Sequence, residues 1–432
     1  MKKIIETISE EYVSLMLSKI PYDGGDIYAY LDAPSGKRRT PIDRNKTIYL
    51  YTPVPERKER SVAEIHKEAL MWEEKLEQIK KEEPQDARVD FLLTHMRSLR
   101  VRSEMLLGKE IKYDDMIKGL YDLTAPDYEE EIFDKALKEL EEVLPGKGTL
   151  AERIANFKKK VTVPANRLAA TMTGAVEAFH EMAIKNMDIN QDSAPRLSFY
   201  SFGEHRKGLE LDGYVYDWEL DRINWEIVFS TDHAFTIDDI ISFSCHEVEP
   251  GHLTFIGLRT KAAYENACPE LAVVSQFSPS SAFVEGGARM GIDLCLPGEE
   301  LYKFEKEVLF PLAGFDPNLI ECLPAWHHYR KVMNYAKQQL DRKMWNREWT
   351  QAEGIAYMKK YQLAAPEECA YAVNHLAVDP GHFVAHDYSR DIIMRYVYNK
   401  AKTMPERWKM YKDLSMAHIS MSAIEDETYE LS

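Results

Sequence analysis

Residues Ser242–His252 read Ser-Phe-Ser-Cys-His-Glu-Val-Glu-Pro-Gly-His, and this stretch decides how the rest of the chain is interpreted. It places two imidazoles and two carboxylates within seven residues. A helix is predicted to begin just before it, because Thr236 and Asp239 have the spacing of a capping box and apolar residues follow at near-helical intervals. His246 and Glu247 are therefore expected on the third turn of that helix.

The spacing of the two histidines predicts a break in this helix. His246 and His252 are six residues apart, so on a straight helix their side chains would lie about 120° apart around the axis. Pro250 cannot donate a hydrogen bond to the carbonyl of His246, and its ring crowds the preceding turn. We therefore predict that Pro250 and Gly251 turn the chain and bring both imidazoles to one point.

The residue types in this stretch are those of a metal-dependent hydrolase. Such a site needs neutral imidazole ligands, a carboxylate beside the metal that accepts a proton from water, and an open coordination position. His246 and His252 supply the imidazoles, and Glu247 supplies the carboxylate. The same residues are also compatible with a kinked helix end that carries an ordinary surface histidine. The stretch alone leaves both interpretations open.

A second segment contains an isolated carboxylate. Glu285 is the single acid in a largely apolar run from Ala282 to Ile292. Because an unpaired buried carboxylate is costly, Glu285 needs a partner, either Arg289 one turn further along the helix or a metal ion. The run also contains three glycines, which would let another helix approach closely: Gly286, Gly287 and Gly291.

Together these segments resemble the paired signature of an uncharacterised bacterial family related to gluzincin metallopeptidases. The family pattern is His-Glu-x-x-Pro-Gly-His-His followed by Phe-x-Glu-Gly-Trp-Ala, which is similar to His246–Leu253 and Phe283–Ala288. A third block, Val378–Arg390, resembles the family's Pro-Gly-Gln-Ala-x-x-Tyr segment. The three blocks occur in the family's order and span about 150 residues.

This resemblance implies a mainly α-helical, metallopeptidase-like fold and a specific set of site residues. One zinc ion would be held by His246, His252 and Glu285. Glu247 would be the general base. Arg289, on the same predicted helix as Glu285, is a candidate for binding the substrate.

The chain departs from the family pattern at three positions. Leu253 replaces the second histidine of the first block, and Gly287 replaces the tryptophan of the second. We interpret both as changes to the pocket that leave the metal in place. His386 stands where the family has a tyrosine, so this change affects a group that would stabilise the transition state.

The C-terminal block holds further candidate catalytic residues. His382 and His386 are four residues apart on a predicted helix entered through Pro380-Gly381, so they share one face. Either both face the cleft and donate hydrogen bonds to an oxyanion, or they cap and pack the helix. Tyr388 is a further candidate for oxyanion contact. Arg390 is a candidate for pairing with a substrate carboxylate.

The remaining chain is predicted to be mainly α-helical, with a small antiparallel β-sheet ahead of the helix that carries His246. Short aromatic and β-branched segments between Pro195 and Ser230 predict this sheet. An edge strand there could receive an extended peptide, or the sheet could simply pack against the helices. Lys46–Thr52 predicts another strand. We divide the chain into a mostly helical region at 1–160 and a catalytic helical region at 161–432, or treat it as one continuous domain.

Composition argues against several classes of protein. The net charge is −17, from 72 acids and 55 bases, which argues against nucleic acid or an anionic membrane as a partner. No segment approaches 18 uninterrupted apolar residues, and the N-terminus lacks the apolar core of a signal peptide. The five cysteines are widely spaced and odd in number, as expected for free thiols in a reducing cytoplasm.

The sequence therefore predicts a cytoplasmic zinc-dependent hydrolase that cleaves a small peptide or related amide by metal-activated water. Glu247 would accept the proton of the water, and His382, His386 or Tyr388 would stabilise the oxyanion. Two alternatives stay open: a catalytically inactive, peptidase-like binding protein, and a metal-dependent enzyme with non-peptide chemistry.

Overall fold

The structure, a computed structural model, describes most of the chain and confirms that the fold is mainly α-helical. The described residues are 1–23, 27–31, 50–51, 58–187, 196–200, 214–217, 222–231, 234–364, 366–376 and 379–429.

The helices follow one another closely along the chain. They are α1 (Lys2–Lys19), α2 (Val62–Glu82), α3 (Ala87–Leu106), α4 (Tyr113–Tyr121), α5 (Glu130–Val143), α6 (Leu150–Lys160), α7 (Ala165–Met187), α8 (Ile237–Ser242), α9 (His252–Glu265), α10 (Pro279–Cys295), α11 (Glu299–Phe304), α12 (Phe310–Ala313), α13 (Leu323–Trp345), α14 (Gln351–Gln362), α15 (Pro366–Leu376), α16 (Ser389–Lys400), α17 (Met404–Ser415) and α18 (Met421–Tyr429). Three shorter segments are π-helical: Phe243–Val248, Glu305–Leu309 and Val384–Tyr388. Two are 3₁₀-helical: Pro269–Ala272 and Pro317–Cys322.

Side-chain caps fix where several of these helices begin. The predicted capping box at Thr236 is confirmed at the start of α8, and capping boxes at Ser61 and Thr350 begin α2 and α14. At Thr236 the carboxylate of Asp239 accepts a hydrogen bond from the backbone N–H at 2.9 Å. This cap satisfies a backbone donor that the first turn of α8 would otherwise leave unpaired, and it sets the register of the helix that leads to His246.

The strands form two small sheets. One has the order β2 (Leu50–Tyr51), β1 (Ile27–Leu31), β6 (Val273–Ser275), and the other has the order β3 (Arg196–Tyr200), β5 (Arg222–Ser230), β4 (Tyr214–Asp217). Of the strand predicted at Lys46–Thr52, only β2 lies within the described residues.

The sheet ahead of α8 is mixed, so the prediction of an antiparallel sheet was wrong for one strand pair. β4 pairs with β5 in antiparallel fashion, but β3 runs parallel to β5. Parallel neighbours require a crossover connection, which residue patterns within each strand do not reveal. Parts of the predicted segments between these strands lie outside the described residues.

The main hydrophobic core contains side chains from both sides of residue 160. Phe133 of α5 and Trp326 of α13 are buried in the same cluster. A second cluster joins apolar residues of α1, α2 and α3 to Val273 of β6. The division of the chain at residue 160 stays a prediction.

Helix α10 lies in the middle of the site region, and its glycines permit the close approaches predicted from the sequence. A Cβ atom on Gly286 would lie 2.7 Å from the backbone nitrogen of Arg390 in α16, and one on Gly287 would lie 2.5 Å from the Phe255 ring in α9. At Gly291 the nearest atom is Cγ of Pro250, at 3.1 Å. These approaches bring α9, α16 and the turn at Pro250 against the helix that carries Glu285.

Replacement of Gly286 by alanine tests this packing. The added methyl group would meet the backbone of α16, so we expect Gly286→Ala to lower the free energy of unfolding by about 1–3 kcal/mol, despite the gain in helix propensity. Denaturant unfolding followed by circular dichroism measures the change. Gly291→Ala is the matched control, because its contacts are looser and its loss should be smaller. Equal stability of the wild-type protein and Gly286→Ala would contradict the assigned packing.

Candidate metal centre

The break between His246 and His252 is formed by a π-helical segment followed by a turn. Helix α8 continues directly into the π-helix Phe243–Val248, residues Glu249–Gly251 turn the chain, and α9 begins at His252. The N–H of Gly251 donates to the carbonyl of Cys245 at 3.0 Å, which closes the turn. The predicted break in the helix is therefore confirmed, and it lies where Pro250 and Gly251 were expected to place it.

This change of register brings the two imidazoles together with Glu285. Nε2 of His246 lies 3.1 Å from Nε2 of His252. Oε2 of Glu285 lies 3.3 Å from the first nitrogen and 3.1 Å from the second. All three side chains are buried, with exposed fractions of 6–8%. Two histidines six residues apart and a glutamate of another helix thus direct one donor atom each to a common point.

The spacing of these atoms is suitable for a metal ion. In a tetrahedral zinc site with bonds of about 2.0–2.1 Å, neighbouring ligand atoms are separated by roughly 3.3 Å. The three observed separations are close to this value. Two histidine nitrogens and one glutamate oxygen are also the protein ligands of a known type of catalytic zinc site. The residues present therefore fit the ion implied by the sequence resemblance.

Burial and close charges act together on these groups. Burial favours the neutral acid of Glu285, but the facing His252 and His386 outweigh it and hold the pKa of this carboxyl well below its ordinary value. Burial lowers the pKa of His246 to about 3. Burial also opposes a charge on His252, but the Glu285 carboxylate outweighs it and raises the pKa of His252 to about 9. Glu285 is therefore ionised, and His246 is neutral, at neutral pH.

Glu247 lies beside this triad without belonging to it. Its two carboxylate oxygens lie 3.7 Å from Nε2 of His246 and 4.0 Å from Nε2 of His252. Burial raises its pKa above the ordinary value for glutamate. A carboxylate at this distance can contact a molecule that also contacts the imidazoles. A general base requires such a position.

His386, in the third π-helical segment (Val384–Tyr388), and His382, just before this segment, face the same region. Nε2 of His386 lies 2.9 Å from Oε2 of Glu285, and its Nδ1 lies 2.7 Å from the carbonyl of His382, to which it donates. The two rings stack with centroids 3.9 Å apart, which confirms that they share one face. Nδ1 of His382 contacts Asp379 at 2.8 Å. The segment thus directs the Nε2 atom of His386 to the candidate metal centre.

The other three predicted site residues have partners that the sequence analysis did not anticipate. The hydroxyl of Tyr388 donates to Glu425 at 3.0 Å. Arg390 binds Asp293 through two nitrogens and also pairs with Asp391. We therefore assign Tyr388 and Arg390 to packing and ion pairing.

Arg289 was considered above as the simple partner of Glu285. Its guanidinium instead donates to Asp387 at 2.9 Å. Glu285 contacts the histidines of the site. Side-chain direction explains the difference, because a residue one turn further along a helix shares its face only approximately.

One buried pair near the site was missed by the sequence analysis. Nδ1 of His180 in α7 lies 2.5 Å from Oε2 of Glu249, the second glutamate of the motif. The pair anchors the turn that carries Pro250 against α7. No pattern in the sequence could link two residues 69 positions apart. The His180-Glu181 pair also gave no indication of a metal site, because no second histidine follows it at helical spacing.

Comparisons with known proteins support the fold alone. No model of a known protein family matches the chain, and no curated protein matches it. A crystal structure from Colwellia psychrerythraea, provisionally described as a lipoprotein, has a similar fold with a TM-score of 0.51 and 14% identity, covering 86% of this chain and 70% of that one. A protein from Shewanella oneidensis, provisionally described as a lipoprotein of unknown function, has a TM-score of 0.46 and 14% identity, covering 79% of this chain and 66% of that one.

Within the described part of the chain, no helix is both long enough and apolar enough to cross a membrane.

Gly251 provides a test of how the turn places His252. A Cβ atom at this position would meet the carbonyl groups of Cys245 and His246. We therefore expect Gly251→Ala to displace His252 and to weaken zinc binding at least about tenfold, as loss of supporting contacts around metal ligands does. Zinc titration against a competing chelator measures the change.

Gly174→Ala is the control for general destabilisation. Gly174 in α7 is also crowded, because a Cβ atom there would lie 2.6 Å from Cδ1 of Leu312, but it does not belong to the turn. This variant should bind zinc as the wild-type protein does. Unchanged zinc affinity in Gly251→Ala would mean that the turn does not control the position of His252.

Proposed function

We propose that this protein is a metal-dependent hydrolase, with zinc as the metal, that cleaves a peptide or related amide bond. The observation that supports the proposal best is the convergence of His246, His252 and Glu285, with the unshared carboxylate of Glu247 beside them. A bound zinc ion would lower the pKa of water and polarise the substrate carbonyl. The sequence resemblance to gluzincin-related proteins suggests the same chemistry.

The proposed role of Glu247 is proton transfer. Its carboxylate accepts a proton from the attacking water and passes it to the leaving amine. His246 and His252 are buried, and burial strengthens electrostatic interactions within the site.

His386 has the proposed role of stabilising the oxyanion. Because its Nδ1 donates to the carbonyl of His382, its Nε2 is held toward the site, and in the protonated ring this atom donates a hydrogen bond. His382 is a positioning residue in this scheme, since Asp379 orients it and its ring supports that of His386.

The cytoplasm remains the proposed location of the protein. The five cysteines are free thiols in the structure, including Cys245 and Cys322 in the core, as is usual in a reducing compartment. We propose a small peptide or amide as the partner and neither nucleic acid nor a membrane, because the net charge of −17 disfavours both.

Metal binding is the first test of this proposal. We expect the wild-type protein to bind about one equivalent of zinc, and His246→Ala to lose most of it, because two remaining ligands hold zinc poorly. Metal analysis after zinc loading and dialysis measures the content. His327→Ala is the matched control, since His327 also contacts a buried glutamate, Glu305, at 2.8 Å but belongs to no group of three potential metal ligands among the described residues. Equal zinc content in His246→Ala and the wild-type protein would refute the metal site.

The general base is tested by Glu247→Gln. This variant should keep the metal and lose about 10²–10⁴-fold in kcat, because the amide cannot accept the proton of the water. Hydrolysis of a peptide library, followed by mass spectrometry and then by kinetics on the substrates found, measures the effect.

Glu249→Gln is the control within the same motif. Glu249 contacts His180 rather than the converging histidines, so the substitution should leave kcat within about tenfold of the wild-type value. Turnover that is unaffected by Glu247→Gln would exclude this residue as the base and favour a different chemistry.

A further inference from the structure

A basic cavity lies next to the candidate metal centre. It has a volume of about 340 Å³ and is lined by residues of α8, α10, α11, α13, α14 and α16 and of the π-helix Val384–Tyr388. Arg289, on its wall, is one helical turn from Glu285, and Asp387, also on its wall, follows His386 directly. The cavity therefore begins within one turn of the residues proposed to perform hydrolysis.

The charge of the cavity is opposite to that of the whole protein. Five lysine and arginine side chains line it: Arg289, Arg330, Lys331, Lys337 and Arg390. Two carboxylates line it, those of Asp293 and Asp387. In a chain with a net charge of −17, a concave surface with an excess of cations attracts anions to one place.

Four of the five cations pair with carboxylates of the protein, Arg289 with Asp387 at 2.9 Å and the other three as follows. Arg390 pairs with Asp293 and Asp391, and Lys331 pairs with Asp391 at 3.2 Å. Arg330 contacts two neighbouring aspartates of α8, each at 3.0 Å. Arg390, Lys331 and Arg330 have little remaining capacity for an anionic ligand.

Lys337 is different. Its ammonium group donates to Oδ1 of Asn334 at 3.2 Å and lies 4.9 Å from the centroid of the Phe383 ring. Among the described residues, no carboxylate lies within 4.0 Å of it in an ion pair. Burial lowers the pKa of this ammonium to about 8. A charged group in such surroundings is stabilised by an anion that enters the cavity.

Arg289 is the second cation with unused capacity. One terminal nitrogen donates to Oδ1 of Asp387 at 2.9 Å, while its buried Nε has no hydrogen-bond partner in the described part of the protein. Asn334 donates to the same oxygen of Asp387 at 3.1 Å and accepts from Lys337. The chain of contacts from Arg289 through Asp387 and Asn334 to Lys337 fixes the relative position of the two cations.

We propose that the basic cavity binds a carboxylate group of the substrate, with Lys337 and Arg289 as its donors. A volume of 340 Å³ is at the lower end for ligand pockets, so it would accept a side chain or a chain terminus rather than a large ligand. The inference rests on the proposed function for the identity of the ligand as a hydrolase substrate. It names an amide compound that carries a negative charge near the cleaved bond as the preferred substrate class.

Calorimetric titration of the wild-type protein with the α-amides of N-acetyl-L-glutamate and N-acetyl-L-glutamine, which carry one carboxylate and none, at neutral pH and low salt, tests the inference. The two probes have similar size and differ in charge. We expect the glutamate probe to bind at least about tenfold more tightly, since a hydrogen bond to a charged group contributes more than a neutral one. Equal affinity for the two probes would overturn the proposal, and this comparison requires no variant to fold.

Lys337→Met removes the cation and keeps a side chain of comparable length. It should weaken binding of the glutamate probe about tenfold or more. Lys331→Met is the matched control, because Lys331 lines the same cavity but already pairs with Asp391, and it should change the affinity less than about twofold. Equal losses of affinity in both variants would mean that the effect comes from general electrostatics. This result would also overturn the assigned site.

Two further experiments identify the class of ligand and distinguish this proposal from the proposed function. Inorganic phosphate bound in a Lys337-dependent manner, without preference for glutamate over glutamine, would overturn the carboxylate assignment. The titrations are repeated in His246→Ala, which lacks a proposed metal ligand. Retained discrimination between the probes in this variant supports the cavity independently of hydrolysis, whereas metal analysis alone decides the metal centre.

Discussion

The contact of three imidazoles with one carboxylate oxygen is the constraint on which the site region depends. Oε2 of Glu285 lies 2.9–3.3 Å from nitrogens of His246, His252 and His386, and its residue is almost fully buried. A buried carboxylate is costly unless it is paired. The surrounding segments must therefore be placed so that each presents a ring nitrogen to the same atom. The turn before α9, the glycines of α10 and the π-helix before α16 each meet part of this requirement.

Local features of this arrangement could be predicted from the sequence, because each depends on residues close together in the chain. The capping box at Thr236 and the break at Pro250 follow from backbone hydrogen bonding and ring sterics. The mainly α-helical fold follows from apolar periodicity. The convergence of His246 and His252 required a change of helical register, which their six-residue spacing already indicated.

Features that depend on distant segments could not be predicted in this way. The parallel pairing of β3 with β5 depends on a crossover and leaves no mark on either strand. The guanidinium of Arg390 is suited to binding a substrate carboxylate, but it already pairs with Asp293 of α10. Lys337 can bind an anion because, among the described residues, no carboxylate from another element reaches it. The sequence of a helix does not reveal whether one of its lysines has such a partner.

The two π-helical segments that carry His246 and His386 indicate how the chain satisfies this constraint. An α-helix that continued through either segment would fix its side chains about 100° apart at each step, and the ring directions would follow from spacing alone. A π-turn adds a residue to the turn, so later side chains change direction relative to earlier ones. Both segments pack against α10, where Gly286 lets Ser389 approach and Gly291 lets Pro250 approach. The rings can meet at Glu285 because the π-helical segments set the direction of the histidine side chains and the glycines let the segments lie close to α10.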